Sequence, residues 1–314
     1  MKRIIVLGGS GFFGHLIVER LRAAGMEPIS ASRSSGEMRI DANNPDDIRN
    51  NVKPRDLVVD AAGPFQKRNA ALIDSAMKIG FDVIDLSDSA AYTSMIHERE
   101  LPIGAAGIRV LTACSSLSTL SALVVKSIGI DEPRKVSAYL LPAYRQTANA
   151  GAVESFLASI EGNVRTLRFP NPIGKRSGIT VKSVDSVTLP RVFPSVRVAE
   201  LIVDTGHTTG NALIQFAFVR EMIGRYQSQA LKIARRIGPT SGILGYEVSS
   251  TLRHRQQVFT GERSHMLAVL PAILAATAIA GGRFPHRGLV PPDKHVEAGE
   301  FFDFVRREGI TITT

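Results

Sequence analysis

The residues of this chain best suited to chemistry come early, in the run Gly8-Gly9-Ser10-Gly11-Phe12-Phe13-Gly14, with four glycines in seven positions. Read from Gly9 the spacing is GxGxxG; read from Gly8 it is GxxGxxG. Glycine at these intervals allows a tight turn, lets backbone approach a pyrophosphate and lets a helix pack closely on a sheet. The helix N-terminus adds N–H donors and a positive dipole. The run follows a short apolar segment and opens an amphipathic one, so it predicts a dinucleotide-binding turn. The alternative is an unliganded strand-to-helix turn, which rarely needs so many glycines.

A site for NAD places an acid about 20 residues further on, against the ribose 2′-hydroxyl. This chain has Ser32-Arg33-Ser34 there. A guanidinium flanked by hydroxyls suits a 2′-phosphate, and no carboxylate is present to repel it, so the expected cofactor is NADP rather than NAD. Ligands of such folds lie beyond the carboxyl ends of the strands. On that ground Asp41 either borders the adenine or is a solvated turn residue. Ala61-Ala62-Gly63-Pro64 supplies small residues along which a cofactor can lie close to the backbone.

These residues need a frame. The chain has 314 residues, enough for roughly two domains. Apolar runs at residues 3–7, 28–32, 38–40, 57–61, 83–86 and 110–113 alternate with helical patterns at 12–24, 45–51, 69–79 and 92–106. Near-continuous Ile/Val/Leu runs separated by helices mean parallel strands buried on both faces, a doubly wound α/β Rossmann sheet. From about residue 130 the texture changes to longer alternating strands at 136–141, 179–189, 198–203 and 246–259. Helical stretches at 151–160, 211–237, 266–280 and 300–308 interrupt or follow them. The expectation is a second α+β domain with a mostly antiparallel sheet. The expected division is a dinucleotide-binding domain at 1–128, to which 283–314 return, and a substrate and dimerisation domain at 129–282.

Composition narrows the classes. At 44% hydrophobic and 21% charged residues the chain is ordinary for a packed globular protein. The single cysteine, Cys114, permits no internal disulfide and no cysteine-based zinc cage, which points to a reducing cytoplasm. The first apolar run stops at Gly8, too soon for a signal peptide, and the stretch 266–280 has fifteen residues where a membrane span takes about 20. The net charge of +9 is concentrated in residues 158–314, with 20 basic against 12 acidic residues, but the basic runs are only pairs. No zinc-finger spacing or aromatic RNP-type strand accompanies them, so nucleic acid is not an expected partner.

The stretch VVDAAGPFQKRNAALIDSAMKIGFDVIDLSD resembles the dinucleotide-binding domain of the saccharopine dehydrogenase-like family, with its "AGPF" loop, helix and "YVDLTGE"-like strand end. The tail GLVPPDKHVEAGEFFDFVRREGI is similar to that family's closing segment. The resemblance implies that Gly9, Ser10, Gly11, Phe12, Phe13 and Gly14 hold phosphates and that Arg33 meets the 2′-phosphate. It further implies that Gly63, Pro64, Ser87 and Asp88 flank the nicotinamide. The chain departs from the family after the sixth strand. Ala113-Cys114-Ser115-Ser116-Leu117-Ser118-Thr119 stands where a "GFDSxPSD"-like turn is usual, so the family's substrate does not carry over.

Hydride transfer needs little more than a positioned nicotinamide and one proton relay. Tyr144 and His207 are the candidate relays, with Arg145 and Thr147 as candidate substrate contacts; each is otherwise an exposed loop side chain. A short-chain dehydrogenase mechanism is out, because no tyrosine stands four residues before a lysine. Cys114 could be a thiol nucleophile or simply buried. No HExxH or pair of histidines three to five apart suggests a metal. The expected function is NADP-dependent hydride transfer to or from a small carboxylate-bearing or amine substrate. The competing reading is a non-catalytic NADP-binding redox sensor or regulatory protein. By the resemblance, and because an open sheet leaves an edge to cover, a homodimer is expected.

Overall fold

A computed structural model describes residues 2–314. The first stretch runs β1 (Ile4–Leu7), α1 (Phe12–Ala23), β2 (Pro28–Ser32), β3 (Met38–Arg39), α2 (Pro45–Asn51), β4 (Leu57–Asp60), α3 (Ala71–Ile79), β5 (Asp82–Asp85), α4 (Ala90–His97), α5 (Glu100–Ala106), β6 (Arg109–Leu111) and α6 (Thr119–Ile128). The central strands β1, β4 and β5 are buried at every position, as both faces are covered by helices. Local chemistry fixes the helix starts. Asn44 caps α2 by accepting from the Asp46 and Asp47 amides ahead of Pro45, and Ser89 caps α4 by accepting from the Tyr92 amide.

The second stretch runs β7 (Lys135–Leu141), α7 (Tyr144–Thr147), α8 (Ala150–Ser159), β8 (Ile160–Arg168), β9 (Lys175–Val181), α9 (Asp185–Val192), β10 (Val198–Val203), α10 (Thr208–Leu213), α11 (Ala217–Arg225), α12 (Gln227–Ile237), β11 (Gly242–Ser249) and β12 (His254–Gly261). The last runs α13 (Leu270–Ala280), β13 (Gly288–Leu289), α14 (Ala298–Arg307) and β14 (Thr311–Thr313).

Two seven-stranded sheets result. The first has the order β13-β6-β5-β4-β1-β2-β3, every pair parallel. Without β13 this is the 3-2-1-4-5-6 order of a Rossmann sheet, whose direction of winding reverses between β1 and β4. The second has the order β14-β12-β11-β7-β10-β9-β8, antiparallel except for β7 and β10. Its two faces carry separate cores: Tyr139, Ile202, Ile243 and Val258 on one, Val136, Leu189 and Val248 on the other. The fold is the α/β arrangement that the hydrophobic pattern predicts, with a mostly antiparallel second sheet.

Several elements differ from the sequence expectation. The helix expected at 92–106 breaks at Glu98–Arg99, because Pro102 cannot sit inside a continuous helix and Arg99 turns back to the Met95 carbonyl. The strand expected at 179–189 ends at Val181, and its β-branched remainder forms α9. Residues 246–259 are not one strand but parts of the hairpin β11–β12. The long helix expected at 211–237 is three helices. The strand β8 and the three-residue β14 carry no alternation strong enough to reveal them.

The chain divides into two compact units, Met1–Leu120 with Ala268–Phe301, and Ser121–Leu267 with Phe302–Thr314. These limits differ from 128 and 283. The apolar helix α13 packs on α1, β4 and β5 and so belongs to the first unit, whereas β14 pairs with β12 and so belongs to the second. Among the described residues no helix is long and apolar enough to cross a membrane, and none group as a metal site.

Candidate functional site

The glycine turn lies where the order of the first sheet reverses. The Gly8 and Gly9 amides donate to the Ala31 carbonyl at 2.8 and 3.2 Å, and the Gly11 amide donates to the Gly8 carbonyl at 2.8 Å. Gly8 has φ +73°, and a Cβ there would stand 2.8 Å from the Ala61 carbonyl oxygen of the neighbouring strand end. A Cβ on Gly14 would strike the Gly8 carbonyl oxygen. Both positions therefore admit only glycine. Gly11 is the N-cap of α1 and offers no side chain, and the first turn holds no acid. No side chain of the cap therefore competes with an anion for this end of the helix. Phe12 and Phe13 pack edge to face at 5.1 Å, and Ser10 and Gly11 are exposed.

Beside the turn, the end of β2 forms a hydroxyl-rich loop. The Ser35 amide donates to Ser32 Oγ at 2.8 Å, the Ser34 amide is 3.4 Å from the same oxygen, and Ser35 Oγ donates to Ser10 Oγ at 3.0 Å. Ser35 ties the two loops together and was not singled out by the sequence pattern. Arg33 is exposed and makes no hydrogen bond or ion pair among the described residues. The nearby Glu37 is occupied by Arg22 at 2.7 Å. Asp41 accepts from the Asn43 amide at 2.9 Å, which makes its carboxylate part of its own turn.

The loop after β4 is held by a buried clamp. The Ala61 amide donates to the Leu7 carbonyl, and Gly63–Pro64 is a cis peptide. Arg68 donates through Nη2 to Asp60 Oδ2 at 2.7 Å and through Nη1 to the Ala62 carbonyl at 3.0 Å, with side-chain exposures of 5% for Arg68 and 0% for Asp60. Burial opposes the guanidinium charge, but the Asp60 carboxylate outweighs it and leaves Arg68 above its ordinary pKa. The pair escapes sequence reading because the chain from Asp60 to Arg68 is a loop with one short 3₁₀ turn, not a continuous helix or strand whose period would align them.

At the end of β5, Asp85 is wholly buried. Its Oδ1 accepts from the Ser87 and Ala113 amides at 3.0 and 2.9 Å, yet burial prevails and pushes the carboxyl up to about 6. Tyr92 is buried beside it with a hydroxyl that makes no hydrogen bond among the described residues, and burial, then Asp85 and Asp60, push that group up. Ser87 is buried, with its hydroxyl accepting from the Ser89 amide, and Asp88 accepts from Gln66 at 3.3 Å. After β6, Cys114 is fully buried and burial pushes its thiol up, the opposite of an activated nucleophile. His295 is buried and lowered to about 4, hence neutral. The Val290 carbonyl can only accept from its Nε2–H, at 3.0 Å, so Nδ1 accepts from the Thr119 hydroxyl at 2.7 Å.

In the second unit, Tyr144 donates its hydroxyl to the Asp204 carbonyl at 2.9 Å, and burial pushes the phenol up. Arg145 Nε donates to the Gly238 carbonyl, and Thr147 donates to the Ala143 carbonyl. His207 precedes α10, is exposed, and has no hydrogen bond on its ring among the described residues. Beneath these lies a network that sequence reasoning missed: Asp204 accepts from Tyr139 at 2.5 Å, from the Gly206 amide at 2.8 Å and from Asn211 at 2.9 Å.

Within the first unit the structure thus brings the glycine turn, the serine loop and the Ala61–Ala62 segment together. In the second, Tyr144 and Thr147 donate their hydroxyls to carbonyls, Arg145 commits its Nε alone, and His207 has no hydrogen bond on its ring among the described residues.

No protein-family model matches the chain, and no curated protein is similar to it in sequence. Solved structures are similar in fold. GenD2 from gentamicin A biosynthesis, solved in complex with NAD, is 12% identical, with 100% of this chain and 97% of that chain covered and a TM-score of 0.45. The WlbA (WbpB) dehydrogenase from Thermus thermophilus, in complex with NAD and alpha-ketoglutarate, is 13% identical over 96% and 94%, with a TM-score of 0.42. A biliverdin reductase from Synechocystis sp. PCC 6803, in complex with biliverdin and NADP+, is 12% identical over 97% and 98%, with a TM-score of 0.38.

Proposed function

We propose that the first unit binds NADP and that the protein is an oxidoreductase resembling saccharopine dehydrogenase, moving a hydride to or from a small carboxylate-bearing or amine substrate. The observation that carries this reading is the turn at Gly8–Gly14. It stands at the switch point of a 3-2-1-4-5-6 sheet and excludes side chains where a pyrophosphate needs room. The phosphates lie against the turn from Gly9 through Ser10, Gly11, Phe12 and Phe13 to Gly14, whose Gly9 and Gly11 amides hold the turn itself together. Arg33, with the Ser34 hydroxyl, receives the 2′-phosphate, the contact that favours NADP over NAD, while the Ser32 hydroxyl holds the loop that presents them. Asp41 borders the adenine, while Ala61, Ala62, Gly63 and Pro64, with Ser87 and Asp88, flank the nicotinamide.

When bound, the cofactor supplies the hydride chemistry. The chain's own residues bind, orient and hold protons. Arg68 keeps the loop at 61–64 in place by its bond to the Ala62 carbonyl. His207 is the relay whose ring is free to exchange a proton, and Tyr144 serves only if its bond to the Asp204 carbonyl opens. Arg145 and Thr147 are the substrate contacts in the same reading.

Fluorescence titration tests the cofactor. NADPH should bind at least tenfold more tightly than NADH, and equal binding rejects the role of Arg33. Incubation with NADPH and a panel of keto acids, aldehydes and amino acids tests turnover. A second reading, an NADP-binding sensor without turnover, is favoured by the inert thiol of Cys114 and the committed hydroxyl of Tyr144. Tight binding without oxidation across the panel would select it.

For partners, the reading includes a homodimer formed through the second unit. None of the side chains of α11 and α12 is buried, and Phe218, Met222, Ile233 and Ile237 are 53–65% exposed. Light scattering that returns a monomer mass removes it.

A further inference from the structure

The second unit contains a cleft that no residue role so far requires. Its volume is 590 Å³, the size of a small-molecule site. The floor is one row of paired residues across four strands, Leu141, Ile243, Thr260 and Thr311, which the strand register places on one face of the sheet. Pro172 and Ile237 add apolar wall. An apolar body therefore fits the lower part.

The polar side chains at this cleft, Arg176, His207 and the serine and threonine hydroxyls, can all donate a hydrogen bond. Arg176 spends its Nε on the Ile173 carbonyl at 3.1 Å, and its remaining guanidinium N–H groups have no hydrogen bond and no ion pair among the described residues. The ring of His207 and the hydroxyls of Thr260, Thr311 and Thr313 are likewise without hydrogen bonds there. Among the described residues no Asp or Glu lines the cleft. Asp204, two residues before the lining Gly206, is buried, and it already accepts from Tyr139, the Gly206 amide and Asn211. An arginine of the second sheet left unpaired over an apolar floor fringed by hydroxyls is a receptor for one negative group on an apolar body.

We propose that this cleft binds a small organic monocarboxylate, with Arg176 holding the carboxylate, the threonine hydroxyls assisting and the row from Leu141 to Thr260 covering the apolar part. The same charge disfavours an amine. If the bound acid is the substrate, which rests on the reading above, the carboxylate class is chosen over the amine class. Binding itself does not depend on that reading.

The test is calorimetric titration of the full chain with linear and aromatic monocarboxylates of four to ten carbons, each matched by its amide, and a parallel titration with NADPH. At least one acid should bind in the micromolar to low millimolar range, with its amide weakened tenfold or more. Arg176→Gln should lose the same factor and Arg176→Lys less, with melting temperature and NADPH affinity unchanged in both. Thr260→Val should weaken the acid by a few-fold. The proposal is overturned if no acid of the panel binds, if amides bind as well as acids, or if Arg176→Gln binds as the unmodified chain does. Acid binding in a chain that binds no NADPH would sink the cofactor reading and leave this one standing.

Discussion

The two sheets receive their buried polar groups differently. In the parallel sheet the carboxylates that close β4 and β5, Asp60 and Asp85, are received by backbone amides and by Arg68. In the mixed sheet Asp204 also stands at a strand end, after β10, but side chains do most of the work there, Tyr139 and Asn211 beside the Gly206 amide, and within β10 Glu200 accepts from Ser137 at 2.7 Å. A parallel sheet covered on both sides has room for polar atoms only where its strands stop, and so its site is assembled from backbone turns. The second sheet has helices that bury side chains, α6 and α9, and others that bury none, α7, α8, α11 and α12, and its cleft is assembled from side chains, Arg176, His207 and threonines. The first kind of site is rigid and intolerant of added atoms; the second is tunable.

The sharpest way to break this contrast is to remove the clamp at the strand end. Arg68→Ala leaves the Asp60 carboxylate buried and unpaired, and should cost about 3–5 kcal/mol of stability in urea unfolding. A double change to Asp60→Asn with Arg68→Met should return most of it, because neither partner is then a bare buried charge. Were the single variant nearly neutral, the claim that charge at the strand ends holds this unit together would fail.

Next in size is Asp85, whose effect depends on pH. Its folded carboxyl titrates at about 6 against an ordinary 3.8, so the folded state binds the proton more tightly. The associated stability is fully present below pH 4 and is lost as pH rises through 6. The loss amounts to about 3 kcal/mol, from 1.36 kcal/mol per tenfold change in proton affinity. Asp85→Asn keeps an oxygen for the Ser87 and Ala113 amides and abolishes the titration. Its stability relative to the unmodified chain should therefore climb between pH 4 and 7 by roughly that amount. Parallel curves across this range would show that the carboxyl is better solvated than its burial implies.

How far these features could be read in advance follows the same division. The parallel strands announce themselves as unbroken apolar runs closed by glycine, and the turn at Gly8–Gly14 is legible because crowding against Ala61 and Gly8 leaves no other residue possible. Arg68 and Asp85 are invisible, since what matters in them is burial, which spacing does not encode. In the second unit, α9 reads as a strand because Val187, Thr188 and Leu189 have strand-like side chains while Asp185 and Pro190 are what turn the backbone. Tyr144, Arg145 and Thr147 look available in sequence; their bonds to carbonyls of Asp204, Gly238 and Ala143 appear only in three dimensions.

A third change probes the rigidity of the turn itself. Gly14→Ala drives a methyl group against the Gly8 carbonyl oxygen, and backbone must move to admit it. Overpacking of this kind costs about 1–3 kcal/mol. The melting temperature should fall, and NADPH affinity should fall further than an exposed control such as Gly224→Ala, in whose case a Cβ meets nothing within 4 Å. Equal behaviour of the two glycines would mean that the crowding at Gly14 is relieved by easy backbone adjustment.

The smallest effect sharpens the contrast from the other side, because Arg33 is the one cationic side chain proposed to meet a phosphate at a site whose other phosphate contacts are backbone. It is exposed and holds no partner, so Arg33→Ala should leave stability within about 0.5 kcal/mol. A charge-assisted contact to a phosphate is worth about 1.5–3 kcal/mol, so NADPH affinity should drop by roughly 10- to 150-fold while NADH affinity stays constant. Rising salt should narrow the gap, since an exposed ion pair is screened over about 8–10 Å. The hydroxyls of Ser32 and Ser35 are already tied to backbone and to Ser10, and they cannot replace the lost charge. An equal loss for both cofactors would place Arg33 on the pyrophosphate or the fold, and the preference for NADP would need another source.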